Sequence, residues 1–216
     1  MKPTLIYAYD PLCGWCYGFH PVIEKISTRF DGRLNFEVKA GGLATGNRVQ
    51  TIDEGYGYIK EAYKQVEETT GVTFGRNFKL LIEEGSYLYD SVPSCRAQVT
   101  VNEIAPDKAV KLAGAMQNAL FVDGKSLNET ETFIELADQL GIDAGIFAKK
   151  FKNDWSLKVA EEHFDWCRSK VVTAFPALLL KIGDELGIMA RGYRPYDTVE
   201  SHLHHLINNI EKLRSL

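Results

Sequence analysis

The sequence predicts an α/β fold whose two ends join in one sheet around an inserted helical block. Three observations predict it. A strand–helix–strand unit opens the chain, a strand–strand–helix unit closes it, and the stretch between shows helical spacing with short breaks. Neither end has enough strands to close a sheet alone. Residues 1–48 and 156–216 are therefore read as one discontinuous α/β domain, and 49–155 as an inserted helical domain.

Residues 4–9 are short, apolar and rich in aromatic and branched side chains, as in a buried strand, and Asp10-Pro11 breaks it. Phe19, Val22, Ile23, Ile26 and Phe30 then recur at the spacing of one helix face, ended by Asp31-Gly32. Leu34, Phe36 and Val38 alternate as a second strand, stopped by Gly41-Gly42. In the middle, Ser94, Thr130 and Asp143 are expected to cap helices, Pro106-Asp107 to start one, and a further helix to run from about Asp154 to Lys170. Residues 177–182 read as a buried strand, 183–185 as a turn and 186–190 as the return strand. Asp197 with Glu200 fits a capping box ahead of an amphipathic last helix carrying Val199, Leu203, Leu206, Ile207, Ile210 and Leu213.

The bulk numbers narrow the function classes. At 216 residues the chain can bury a sizeable core. A net charge of −4 with no basic run gives no reason to expect nucleic acid or an anionic membrane as a partner. No window approaches the roughly 18 apolar residues of a membrane span. The apolar stretch after Met1 is too short for a signal peptide, so a full-length, cytoplasmic protein is expected. Four cysteines are too few for a disulfide scaffold in a chain of this length.

The chemistry concentrates in Cys13-Gly14-Trp15-Cys16, between the first strand and the first helix. Residues three apart lie one helical turn from each other, within disulfide reach. A cysteine at a helix N-terminus faces unpaired backbone N–H groups that favour a thiolate, whereas one a turn deeper is less exposed. Cys13 is thus read as the nucleophile and Cys16 as the resolving thiol. Gly14 is expected to let the chain turn tightly, and Trp15 to offer a flat apolar face to a partner peptide. The same motif can also hold zinc or stay inert. Zinc needs two more ligands, and only His20 is near in sequence, so no metal is expected. Phe175-Pro176 precedes the strand at 177, a common place for a trans proline on an edge strand.

These residues resemble the DsbA family of thioredoxin-like proteins, and most closely its FrnE-like branch. The segment Asp10-Pro11-Leu12-Cys13-Gly14-Trp15-Cys16-Tyr17-Gly18 and the segment Phe175-Pro176-Ala177-Leu178 carry the resemblance. Weaker likeness extends through Ser91-Val92-Pro93-Ser94-Cys95-Arg96-Ala97 and Ala119-Leu120-Phe121-Val122-Asp123-Gly124. The resemblance implies a thioredoxin fold with a large inserted α-helical domain, dithiol exchange through Cys13 and Cys16, and a cis Pro176 against them. FrnE-like members typically carry proline where this chain has Gly14. Strongly oxidising members place Pro-His between the cysteines; Gly14-Trp15 has no imidazole, which points toward the reductase or isomerase end. Kappa-class glutathione transferases and hydroxychromene-carboxylate isomerases share the fold but usually carry serine at the first cysteine position.

Of the remaining residues, Cys167 falls on the core-spaced stripe Leu157, Ala160, Phe164, Cys167, Val171, and Cys95 opens a helix without a partner three residues away, so both are read chiefly as packing. His20 is read as a helix residue, and His202, His204 and His205 as a solvated face. Trp15, Tyr17 and Phe175 are expected to form an apolar rim for substrate, although Tyr17 and Phe175 equally suit a core. No flavin or nicotinamide motif is present; Gly41-Gly42 lacks the dinucleotide frame. With no cofactor expected, electrons must come from glutathione or a thioredoxin-type donor, and the partners are protein or peptide disulfides and thiols. The competing readings are a kappa-type glutathione-dependent transferase or isomerase, and a non-catalytic peptide- or zinc-binding module.

Overall fold

In the computed structural model the two ends of the chain meet in a four-stranded sheet of order β2-β1-β5-β6. It describes the backbone of residues 2–170, 172 and 174–214, and side chains as far as residue 209. Val171 of the Cys167 stripe, and the side chains of Ile210 and Leu213, lie outside the described residues.

β1 (Thr4–Tyr9) runs parallel to β2 (Asn35–Ala40) and antiparallel to β5 (Ala177–Ile182), which pairs antiparallel with β6 (Glu185–Arg191). Being central and covered on both faces, β1 buries every residue after Thr4, which is why it reads as an unbroken apolar run. The parallel step from β1 to β2 needs a crossover, supplied by α1 (Gly14–Arg29). Its stripe Phe19, Val22, Ile23, Ile26 and its end Phe30 are buried. α9 (Tyr196–Arg214) packs through Val199, Leu203 and Ile207, and its Glu200 pairs with Arg29 at 3.5 Å.

The inserted part holds α2 (Ile59–Thr70), α3 (Arg76–Glu84), α4 (Ser91–Ile104), α5 (Ala109–Phe121), α6 (Thr130–Gln139) and α7 (Ala144–Phe151), followed by α8 (Asp154–Ser169). It also holds a short two-stranded pairing of β3 (Gln50–Thr51) with β4 (Leu88–Tyr89), which helical spacing alone does not reveal. α4 attaches the insert to the sheet: Asn102 Nδ2 donates to the Val38 carbonyl at 2.8 Å, satisfying a β2 edge acceptor.

Three expected caps move. Asp90, not Ser94, caps α4 by accepting from Val92 N–H at 2.9 Å, and the Ser94 hydroxyl instead donates back to the Ser91 carbonyl. Thr130 is the first residue of α6, behind Glu129, which makes no side-chain cap. Asp197 lies inside the first turn of α9, because the Pro195 carbonyl already accepts the Val199 N–H at 3.2 Å. Asp143 does cap α7, accepting from Ile146 N–H at 2.8 Å.

Candidate active site

Cys13 does the work of an N-cap with sulfur. Its backbone is extended, φ −87° and ψ 112°, and its Sγ accepts the Cys16 N–H at 3.3 Å. The Asp10 carbonyl accepts the Cys13 N–H at 3.1 Å, so the turn is made at 10–13. Gly14 is the first helical residue, and a Cβ there would meet Phe74 at an ordinary 3.5 Å. The tight turn therefore does not require Gly14, a correction to the reading above.

Cys16 sits one turn deeper with no exposed surface. Burial holds its thiol well above the usual range, and the hydrogen bond and charge of Cys13 push the same way. No disulfide joins any of the four cysteines in this structure.

The peptide bond Phe175-Pro176 is cis and leads into β5. The Phe175 carbonyl lies 3.6 Å from Cys13 Sγ, which brings the two ends of the chain to one point across 162 residues. The Phe175 ring lies so close to Gly41 that a Cβ there would be 2.4 Å from it. Gly41 therefore allows a close approach as well as ending β2.

Asp10 is wholly buried and knits three segments together. Its Oδ1 accepts from Leu12 N–H at 2.9 Å and from the Ser91 hydroxyl at 3.1 Å; its Oδ2 accepts from Leu43 N–H at 2.7 Å. Burial raises its pKa, and these hydrogen bonds oppose the rise. The sequence marked Asp10 as a strand breaker and as part of the resemblance-carrying segment, not as a junction. Its partners are too distant in the chain for any local pattern to show them.

Cys13 opens onto a cavity of about 310 Å³ between the first helix and the insert. Its walls include Trp15, Tyr58, Tyr63, Phe74, Phe121 and Phe175. Trp15 and Phe175 thus line the same cavity as the thiol. Tyr17 does not. It is 8% exposed, its hydroxyl donates to the Thr73 carbonyl at 3.0 Å, and its ring packs on Phe74 and Phe121 at 5.1 and 5.2 Å. The substrate-rim reading for Tyr17 is corrected to a packing role, in which it docks the insert onto α1. The insert's Tyr58 and Tyr63 were not singled out in the sequence, where they look like ordinary helix-flanking aromatics.

The other residues fall away from this point. His20 is buried beside Gly114 of α5, where a Cβ would meet its Nε2 at 2.1 Å. Cys95 and Cys167 are packed near Ala40. His202, His204 and His205 are exposed on α9. Among the described residues no group of three or more His, Cys, Asp or Glu comes together in a way that could hold a metal ion. Among them, too, no helix is long and apolar enough to cross a membrane.

Comparison with known proteins bears on this geometry. The sequence profile of the DSBA-like thioredoxin domain matches residues 4–204. A candidate protein disulfide isomerase from Nitrosomonas europaea is 29% identical, with TM-score 0.85 over 97% of this chain and 99% of that one. The cytosolic disulfide reductase DsbM from Pseudomonas aeruginosa is 26% identical, with TM-score 0.80 over 95% and 98%, and has also been solved with GSH. The ClpXP adapter protein SpxH of Bacillus subtilis is 21% identical over 98% of this chain and 70% of its own length.

Proposed function

This chain belongs to the DSBA-like thioredoxin domain family, and from that membership we propose that it is a dithiol reductase or isomerase working through Cys13 and Cys16. The observation that carries the reading is the Cys13 sulfur itself. It receives a backbone N–H at the head of α1, borders a cavity, and lies 3.6 Å from the carbonyl before a cis proline. Cys13 as thiolate attacks a substrate disulfide. One substrate sulfur leaves as thiolate, and a Cys13–substrate disulfide forms. Cys16 then gives up its proton and attacks Cys13 Sγ, and the second substrate sulfur departs and takes up a proton. Two electrons pass to the substrate, and the protein is left with a Cys13–Cys16 disulfide. Phe175, held by the cis bond to Pro176, presents backbone to the substrate chain, and Trp15 packs against it.

The reductase or isomerase direction is supported by the absence of an imidazole between the cysteines and by the likeness to a cytosolic disulfide reductase. A cytoplasmic location, and recharging by glutathione or a thioredoxin-type donor, belong to the same reading. The test is a redox titration in glutathione buffers followed by Trp15-sensitive fluorescence. One reversible two-electron transition is expected, nearer thioredoxin's roughly −270 mV than DsbA's roughly −120 mV, and abolished in Cys13→Ser. Exchange that persists in Cys13→Ser overturns the proposal; turnover that survives only the loss of Cys16 favours kappa-type transfer instead. The similarity to a ClpXP adapter favours a second reading, a docking module without turnover, which predicts partner binding indifferent to both cysteines.

A further inference from the structure

We infer that the Tyr7 hydroxyl, backed by the Gln117 amide, is held beneath Cys16 to meet the negative charge that forms on the Cys16 sulfur in the resolving step. This rests on the dithiol reading and deepens it, with Tyr7 as the donor and Gln117 as the residue that positions it. Gln117 of α5 has no exposed surface, and neither its Oε1 nor its Nε2 finds a hydrogen-bond partner among the described residues. A buried amide in that condition costs stability, and leucine or methionine would fill the same place without the cost. His20 Nδ1 is also unpaired, on the side of α1 that meets Gly114 of α5. His20 keeps 9% of its surface exposed, however, so solvent reaches that residue and not Gln117.

Tyr7 joins Gln117 to the cysteine pair. It lies in β1, and its hydroxyl donates to the Cys16 carbonyl at 3.4 Å. That is longer than the roughly 2.5–3.0 Å of a good O–H···O bond, so the donor is only partly used. The ring itself is fixed: it stacks on Tyr9 at 5.1 Å and meets Phe19 edge-on at 6.2 Å. Burial raises the hydroxyl well above its usual pKa, the Cys16 charge adds to the rise, and Gln117 opposes it. The Tyr7 oxygen therefore stands within the influence of both the Gln117 amide and the Cys16 sulfur.

Donors left unused before the charge forms are the ones that speed its formation. Cys16 has no exposed surface, so its thiolate forms without water around it. A donor fully engaged beforehand stabilises the start and the charged state alike and accelerates nothing; one held back acts only as the charge appears. As Cys16 loses its proton, Gln117 Nε2 donates to the Tyr7 oxygen, and the Tyr7 O–H turns from the carbonyl to the sulfur. Cys16 Sγ attacks Cys13 Sγ, and the Cys13–Cys16 bond forms. The Cys13–substrate bond breaks with its electron pair on the substrate sulfur. By way of solvent, the proton given up by Cys16 balances the one that this sulfur takes up.

The test times the two halves of the reaction separately. Fully reduced protein is mixed in a stopped flow with one equivalent of dithiobis-nitrobenzoate, whose halves leave as coloured thionitrobenzoate. The first half leaves when Cys13 attacks, at a rate that rises with concentration. The second leaves when Cys16 resolves the mixed disulfide, at a rate that does not. Tyr7→Phe and Gln117→Leu are each expected to slow the second release about tenfold or more and to leave the first within about twofold. Gln117→Leu is also expected to raise the urea midpoint, because it removes the unpaired amide, so the slower protein is the more stable one. A packing role has no way to separate the two releases. An unaltered second release in either variant, or an equal slowing of both releases, overturns the inference and leaves the dithiol reading standing. If Gln117→Leu does not fold, Tyr7→Phe decides, since it takes away one oxygen and keeps the ring between Tyr9 and Phe19. A single release from the parent protein overturns the inference and the dithiol reading together.

Discussion

The molecule holds four cysteines, two of them proposed to react and two packed in the interior. Cys13 and Cys16 flank the first turn of α1, and Cys13 meets open space. Cys95 lies in the second turn of α4 and Cys167 near the end of α8, with 0% and 2% exposure. Cys95 also has a place near a helix N-terminus, yet burial holds its thiol well above the usual range, with the Asp10 charge adding to the effect. Burial likewise pushes Cys167 up to about 12. Nearness to a helix start therefore does not make a reactive cysteine. In the proposed reading, an open side, a partner one turn away and a backbone N–H on the sulfur do.

The largest test of that contrast is Cys13→Ser, which should lower disulfide exchange by roughly a thousandfold or more, while Cys95→Ala and Cys167→Ala stay within about twofold. An insulin-reduction assay reads all three, and equal losses would erase the distinction between the pairs. Asp10 touches both regions: its Oδ1 accepts the Leu12 N–H beside Cys13, and Cys95 Sγ lies 3.9 Å from its Oδ2. Asp10→Ala leaves the Leu12 and Leu43 N–H groups and the Ser91 hydroxyl without their acceptor. Urea unfolding should show a loss of about 3 kcal/mol. No loss would mean that water replaces the carboxylate easily, and that Asp10 is no junction.

Acid should act through buried imidazoles rather than through the reactive pair. Burial lowers His20 to about 4; burial and then the Lys39 charge lower His163, which accepts the Ala40 N–H at 3.2 Å, to about 3. Both titrate near 6.5 when unfolded. Above that value both states hold these rings neutral, and they add no pH dependence. As pH falls below it the unfolded chain binds more protons, so stability declines, by about 2 kcal/mol per ring at pH 5. His163→Gln, which keeps an acceptor for Ala40, should flatten this slope; an unaltered urea midpoint between pH 7 and 5 in the parent protein would contradict it. Smallest of all, Cys95→Ala should cost about 1 kcal/mol of stability and leave the redox midpoint of the other pair unmoved.

Much of this was legible in the sequence wherever the determining physics is local. β1, α1 and β5 follow from apolar spacing, and the dithiol from four consecutive residues. The cis bond at Pro176 was implied by resemblance, since proline ahead of a strand suits either isomer. Ser94 misled because Asp90 competes for the same helix start with a carboxylate better placed to accept Val92 N–H. Asp10 was unreadable as a junction, since its bond to Ser91 spans 81 residues. Tyr17 was ambiguous for the same reason: its partners Thr73 and Phe121 come from the insert, and nothing near Tyr17 specifies them.

The cavity has two authors. The sulfur, Trp15 and Phe175 come from the segments that build the sheet, while Tyr58, Tyr63, Phe74 and Phe121 come from the stretch between β2 and β5. Bolt and keyhole are thus written in separate passages of the gene. Mutational drift in the second passage can recut the keyhole, ring by ring, and leave the bolt unaltered.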